Sequence, residues 1–138
     1  MKLFVGLDVS LVKTAICVIS EYGKIIKEAD KAAEELEKEG ISCEIIDLRT
    51  VKPLDYEAVL KSVKKTNRLV ILEEAWPFGN VATEVTYHVQ SHAFDYLDAP
   101  IEKINTADTP APYSPVLLEE WLPNHKDVIK AVKKVLYK

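Results

Sequence analysis

Two hydrophobic periods alternate along this chain. Lys2–Val9 (KLFVGLDV) is short, mostly apolar and β-prone, and Lys13–Ser20 (KTAICVIS) is rich in β-branched residues, so both read as strands. From Ile25 the period changes. Ile25, Ala29, Ala32, Ala33 and Leu36 fall at i, i+4, i+7, i+8 and i+11, one face of a helix. Lys27, Lys31, Glu34 and Lys38 lie on its wet side, and Gly40 follows where a left-handed C-cap is wanted. Ile41–Leu48 (ISCEIIDL) is the next strand. Pro53 closes a loop, and Asp55 is a good N-cap for a helix over Tyr56–Lys65. Asn67–Glu73 (NRLVILE) is a continuous apolar strand, followed by the Trp76-Pro77-Phe78-Gly79 loop and a helix marked by Val81, Val85 and Val89. Ile101–Ile104 is a short strand. Pro110, Pro112 and Pro115 then predict an extended stretch pinned by side chains rather than by backbone ladders. Asn124 caps the last helix with Asp127 at its third position. Val128, Ile129, Val132, Val135 and Leu136 form its buried face, and Lys126, Lys130, Lys133 and Lys134 its wet one.

Strands that are apolar throughout and alternate with helices imply a mostly parallel sheet covered on both faces. The expected fold is a three-layer α/β/α domain with a five-stranded sheet, whose N-terminal strand is an edge strand open to antiparallel pairing. No linker or repeat divides residues 1–138, so one domain is expected.

Composition narrows the function classes. The chain has 138 residues, 48% apolar and 29% charged, with a net charge of −4. That is ordinary for a globular domain and does not suggest nucleic acid or an anionic membrane as a partner. No apolar run nears the roughly 18 residues of a membrane span. The start, MKLFVGLDVS, makes a poor signal peptide because Asp8 breaks its short apolar run. Cys17 and Cys43 sit in apolar stretches and read as reduced, buried thiols. The expected location is cytoplasmic.

Candidate chemistry is sparse. Glu73 and Glu74 stand at the C-terminal end of a strand, where open α/β sheets place ligands. Neighbours on a strand point in opposite directions, so this pair is better suited to positioning the following loop or making an interface contact than to acid–base work. Glu84, His88 and His92 share a helix face at metal-compatible spacing, but no fourth ligand is signalled and a half-exposed histidine face is the simpler reading. His125 sits at a helix start. Four glycines, at 6, 23, 40 and 79, cannot supply a dinucleotide or phosphate loop, and no GxSxG is present. No catalytic, metal-binding or cofactor-binding residue is assigned.

Five stretches carry a resemblance: Ala32–Asp55 (AAEELEKEGISCEIIDLRTVKPLD), Lys65–Gly79 (KTNRLVILEEAWPFG), Ala93–Ile104 (AFDYLDAPIEKI), the ADTPAPYSP segment over Ala107–Pro115, and DVIKAVKKVLYK at the end. From about Ala32 to Lys138 the chain resembles the C-terminal, transketolase-type domain of the beta subunit of the pyruvate dehydrogenase first component. Ala75 stands where that family usually has Gly, and Asn105-Thr106 where Thr-Gly is common. Residues 1–30 differ. MKLFVGLDVSLVKTAICVISEYGKIIKEA resembles the N-terminus of DEDD-type insertion-sequence transposases, with Asp8 matching that family's first metal-binding carboxylate. The other acidic positions have no counterpart, and a two-metal site needs several carboxylates. The resemblances together imply a chimera whose foreign segment supplies strands to the sheet.

The first resemblance implies a subunit domain of a thiamine diphosphate- and Mg-dependent decarboxylating enzyme built as an α₂β₂ heterotetramer. The cofactor site there is made by the alpha subunit and the beta subunit's N-terminal domain, so this chain is expected to be inactive alone. The implied roles are subunit contact and docking of the acetyltransferase core's small, basic subunit-binding domain. Asp98 matches a position implicated in docking, against the alternative of a turn residue before Pro100, and a terminal carboxylate at Lys138 is the second candidate. Glu73, Glu74, Trp76 and Phe78 are interface or loop candidates. Apolar surface around Trp76, Phe78 and Trp121, left bare without an N-terminal domain, predicts a homo-oligomer. The alternatives are a transposase-derived DNA-acting protein and a foldable fusion product with no retained function.

Overall fold

Val12–Ile19 forms β1, and its side chains divide between two cores. Ile16 and Val18 point to one face of the sheet, Ala15 and Cys17 to the other, and all four are fully buried. A stretch buried on both faces needs apolar residues on both, which is why Ala15–Val18 shows no alternation. The computed structural model describes residues 12–19 and 23–138. The expected strand Lys2–Val9 and Asp8 lie outside the described residues.

The remaining elements follow in alternation. They are α1 (Lys24–Lys38), β2 (Ile41–Asp47), α2 (Tyr56–Thr66), β3 (Leu69–Glu73), α3 (Val81–Ala93), a 3-10 turn at Phe94–Tyr96, β4 (Glu102–Ile104), α4 (Pro115–Trp121) and α5 (His125–Val135). Among the described residues the sheet has four strands in the order β2-β1-β3-β4, all parallel. β1 is central and pairs on both sides, Cys17 with Ile46 of β2 and with Ile71 of β3. The α1 and α5 helices cover one face, packing Ile25, Ala29, Leu36, Val128 and Val132 against Ile16, Val18, Val70 and Leu72. The α2 and α3 helices cover the other, packing Val59, Val63, Val85 and Val89 against Ala15, Cys17, Leu69 and Ile71. The layers are those the sequence predicts.

Local signals explain most element ends. Asp55 accepts from the Ala58 N–H at 3.0 Å. Asn124 accepts from the Lys126 N–H, and the Asp127 carboxylate accepts from the Asn124 N–H, closing a capping box. Gly40, at φ 78°, takes the left-handed conformation after α1. The Lys52–Pro53 peptide is cis.

Two expectations need correction. The strand expected over Asn67–Glu73 begins only at Leu69, because Asn67 adopts φ 63° as the C-cap of α2 and its N–H returns to the Val63 carbonyl. The extended stretch expected through Pro115 ends earlier. Pro115 opens α4 at its first position, where the missing N–H costs nothing and the fixed φ suits a helix.

Glu28 of α1 and His125 of α5 tie the two helices together. The Glu28 carboxylate accepts from the His125 backbone N–H at 2.8 Å and lies 3.0 Å from its ring Nδ1, with Glu35 3.7 Å from Nε2. Burial alone would raise the Glu28 carboxyl. The hydrogen bonds from His125, its charge, and Lys31 outweigh this and hold it below its ordinary 4.5. A carboxyl lower in the folded than in the unfolded chain contributes stability that is present above the unfolded value and lost as pH falls through the folded one. Glu28→Gln is therefore expected to flatten the loss of stability as the pH falls through 4.5 and below. The change is at most about 1 kcal/mol, the scale of a solvent-screened pair, and urea midpoints across that range measure it.

Candidate functional site

The chain leaves β1 for β2 on one side and reaches β3 on the other, so the sheet switches direction between Ile19 and Glu73, which are in register. Such a switch point is where open α/β sheets hold ligands at strand C-termini. Here Glu73 occupies it. The side chain is buried, 5% exposed, and its two carboxylate oxygens accept from the Val81 N–H at 3.1 Å and the Ala82 N–H at 2.9 Å. These are unpaired donors of the first turn of α3, and the helix dipole favours a negative charge there. Glu73 thus positions the loop and helix that follow, while Glu74 is exposed. The two carboxylates do not converge on one atom.

The Trp-Pro loop is held from several sides. Asn80 donates to the Trp76 carbonyl and accepts from the Thr83 N–H, capping α3. Lys103 of β4 donates to the Pro77 carbonyl at 3.2 Å and to Thr83 Oγ1 at 3.0 Å. The indole N–H groups of Trp76 and Trp121 both donate to the Thr109 carbonyl, at 3.0 and 2.9 Å, pinning the proline-rich stretch as the sequence predicts. Ala75 is not among the positive-φ residues, so it needs no glycine, and its carbonyl accepts from the Thr106 N–H. Phe78 is 90% exposed and Trp76 54%, with Tyr113, Val116 and Leu117 also exposed. The loop borders a broad, open depression lined by Glu73, Trp76, Phe78, Val81 and Glu84.

Other candidates are structural. His88 stacks between Tyr56 (3.9 Å) and His92 (4.1 Å), and the His92 ring nitrogen pairs with the His88 carbonyl. Burial and the neighbouring His92 push the His88 imidazole below its ordinary range. Cys17 and Cys43 are free thiols. Burial, then the charges of Asp47 and Glu73, push Cys17 up to about 12, and burial pushes Cys43 up to about 12. Both stay protonated and weakly nucleophilic at neutral pH.

Asp98 and the end of α5 lie together at the opposite end of β3. The Asp98 N–H donates to the Asn67 carbonyl at 2.9 Å, and its carboxylate is 3.6 Å from Arg68 Nη1. The Tyr137 hydroxyl donates to the Asp98 carbonyl at 3.4 Å, and the Lys138 N–H to the Lys133 carbonyl. The structure therefore brings Asp98 and the Lys138 end into one neighbourhood and keeps Glu73, Glu74, Trp76 and Phe78 at the other end of the sheet. Sequence reading misses Arg68 and Lys103. Both are basic residues at strand starts or edges with distant partners, and no local spacing marks them.

The switch-point carboxylate is fully engaged by α3, and among the described residues no three His, Cys, Asp or Glu side chains converge as ligands. Among the same residues no helix is long and apolar enough to cross a membrane.

Comparison with known proteins supplies the family. The chain is 52% identical over 112 residues to the pyruvate dehydrogenase E1 component subunit beta of Rickettsia felis, a match covering 81% of this chain and 34% of that protein. It is 42% identical over 129 residues to the subunit of the same name from Bacillus subtilis, covering 94% of this chain and 39% of that protein. The chain thus spans about a third of the length of the curated relatives it matches. Among solved structures, one described as "Split gene transketolase, inactive beta4 tetramer" superposes with a TM-score of 0.75 at 27% identity, covering 91% of this chain and 38% of that one. The model of the family described as transketolase, C-terminal domain, matches residues 9–128, a span that includes β1 through α4 and the first turn of α5. The chain belongs to the transketolase C-terminal domain family and matches the C-terminal region of pyruvate dehydrogenase E1 beta subunits.

Proposed function

We propose that this chain is a subunit-interface and docking module of the complex that converts pyruvate to acetyl-CoA, and that it carries no reaction by itself. The observation that carries the reading is its 52% identity to an E1 beta subunit over 112 residues, within a third of that subunit's length. Its partners are an alpha subunit and the basic subunit-binding domain of an acetyltransferase core. The docking face is Asp98 with the Lys138 end of α5. An acidic group on this face suits a basic partner, since complementary charge steers encounter and fixes register.

Isothermal titration of the chain with such a binding domain tests the reading. Binding is expected at low salt, weakened about tenfold by Asp98→Ala, roughly 1.4 kcal/mol. No heat at high micromolar concentration overturns docking.

The exposed Trp76 and Phe78 loop is the proposed contact with another subunit, and in the isolated chain with a second copy. The tetrameric description of the structural neighbour supports this. Residues 1–30 are proposed to be a segment of separate origin that supplies β1, and the chain as a whole to act as one domain inside a cell's aqueous interior.

A further inference from the structure

We propose that Arg68 is a positioning residue for the docking face, a clamp that fixes Asp98 relative to the end of α5. The inference rests on the docking reading for what the face is used for, whereas the clamp itself is a property of this chain alone.

Arg68 sits between the left-handed C-cap Asn67 and the first residue of β3. Its side chain crosses to two other elements. Nε donates to the Val135 carbonyl at 3.0 Å, and Nη1 is 3.6 Å from Asp98 Oδ2. Val135 is the last residue of α5, and a carbonyl at that position has no N–H partner within the helix. A guanidinium presents these donors in one rigid plane, so holding the helix end also sets where the Asp98 carboxylate lies. Burial is unequal. The Arg68 side chain is 20% exposed and that of Asp98 58%. The arginine is the anchored member and the carboxylate is presented outward, with room for a cationic partner.

The adjoining residue supports the same segment. Asn67 accepts from the Asp98 N–H through its carbonyl and donates from Nδ2 to the Tyr96 carbonyl at 2.8 Å. Asn67 holds the Asp98 backbone, and the Arg68 guanidinium lies beside its carboxylate. The Tyr137 hydroxyl closes the circuit on the Asp98 carbonyl.

The sign of a mutational effect separates a clamp from a charge. Removing the Arg68 cation beside Asp98 strengthens the attraction of a basic partner if charge alone matters. If Arg68 is a clamp, removal weakens binding. Lysine keeps the charge but not the planar fork, so it does not rescue.

Two measurements on wild type, Arg68→Gln and Arg68→Lys decide the matter. Titration with the basic subunit-binding domain is expected to show both variants about tenfold weaker. Amide hydrogen exchange is expected to quicken at Asp98, Tyr137 and Lys138 in both variants while the Ile71 and Leu72 amides stay protected. Equal or tighter binding by Arg68→Gln, full rescue by Arg68→Lys, unchanged exchange at Tyr137 and Lys138, or exchange quickened evenly across β3 each overturns the clamp. Failure of the wild type itself to bind defeats the docking reading, and the exchange measurement then decides the clamp alone.

Discussion

A chain that starts at Lys31 will not fold. The deletion removes β1 and the first two turns of α1. β1 is the strand between β2 and β3, so its loss leaves both without a neighbour on their shared side. Ile16, Val18 and Ile25 are fully buried in the α1–α5 core, and burying each such side chain stabilises by about 1.5–3 kcal/mol. Their sum is comparable with the whole stability of a domain this size, about 5–15 kcal/mol. The ladder hydrogen bonds on both sides of β1 are lost as well. Circular dichroism and proton NMR on the purified fragment check this. The expected result is an insoluble or molten product with no cooperative thermal transition, and a sharp transition with dispersed amide signals would refute it.

Glu73→Ala is the point substitution with the largest expected effect at the loop end of the sheet. It removes two charge-assisted hydrogen bonds and leaves the part-buried Val81 N–H and the buried Ala82 N–H without their acceptor. Hydrogen bonds to a charged group contribute about 1.5–3 kcal/mol each, and an orphaned donor carries its own desolvation penalty. Because Asn80 still caps the helix and Lys103 still holds the loop, the expected loss is about 2–4 kcal/mol rather than the full sum. Glu73→Gln keeps an acceptor but not the charge, and is expected to lose about half as much. Urea denaturation of both variants measures this. A loss below about 0.5 kcal/mol for Glu73→Ala, the scale of an ordinary surface change, would mean that the carboxylate is not what holds α3.

The parts of this structure legible in the sequence are those whose physics is local. The apolar faces of α1 and α5 follow the helical period because each helix packs on the sheet along one stripe. Asp55 and Asn124 announce helix starts because a cap bonds to backbone two or three residues away. The divergence of Glu73 and Glu74 follows from the alternation of a strand. Pro115 reads as extended for a local reason too: the same fixed φ serves an extended chain and the first turn of a helix, and here it opens α4. The non-local links have no such signature. Arg68 reaches a carbonyl 67 positions away, and His125 a carboxylate 97 positions away. No spacing rule marks either pair. For the proposed docking face, a resemblance points to Asp98, and the contacts of Asn67, Arg68 and Tyr137 with it come from the fold.

The central place of β1 also sets an order of events in synthesis. Its two partners, β2 and β3, are the second and third strands in the order of synthesis, ending at Asp47 and Glu73. At a translation rate of about 5–20 residues per second, roughly 3–10 s separate the completion of β1 from that of β3. Through that interval the apolar run Ala15–Ile19 waits with one or both edges open. Parallel pairing of this kind is slow and exposes the chain to aggregation. A strand paired on both sides in the finished sheet is therefore a vulnerable segment on the ribosome, and yield in cells is expected to respond to translation speed and chaperone supply as well as to the equilibrium stability of the product.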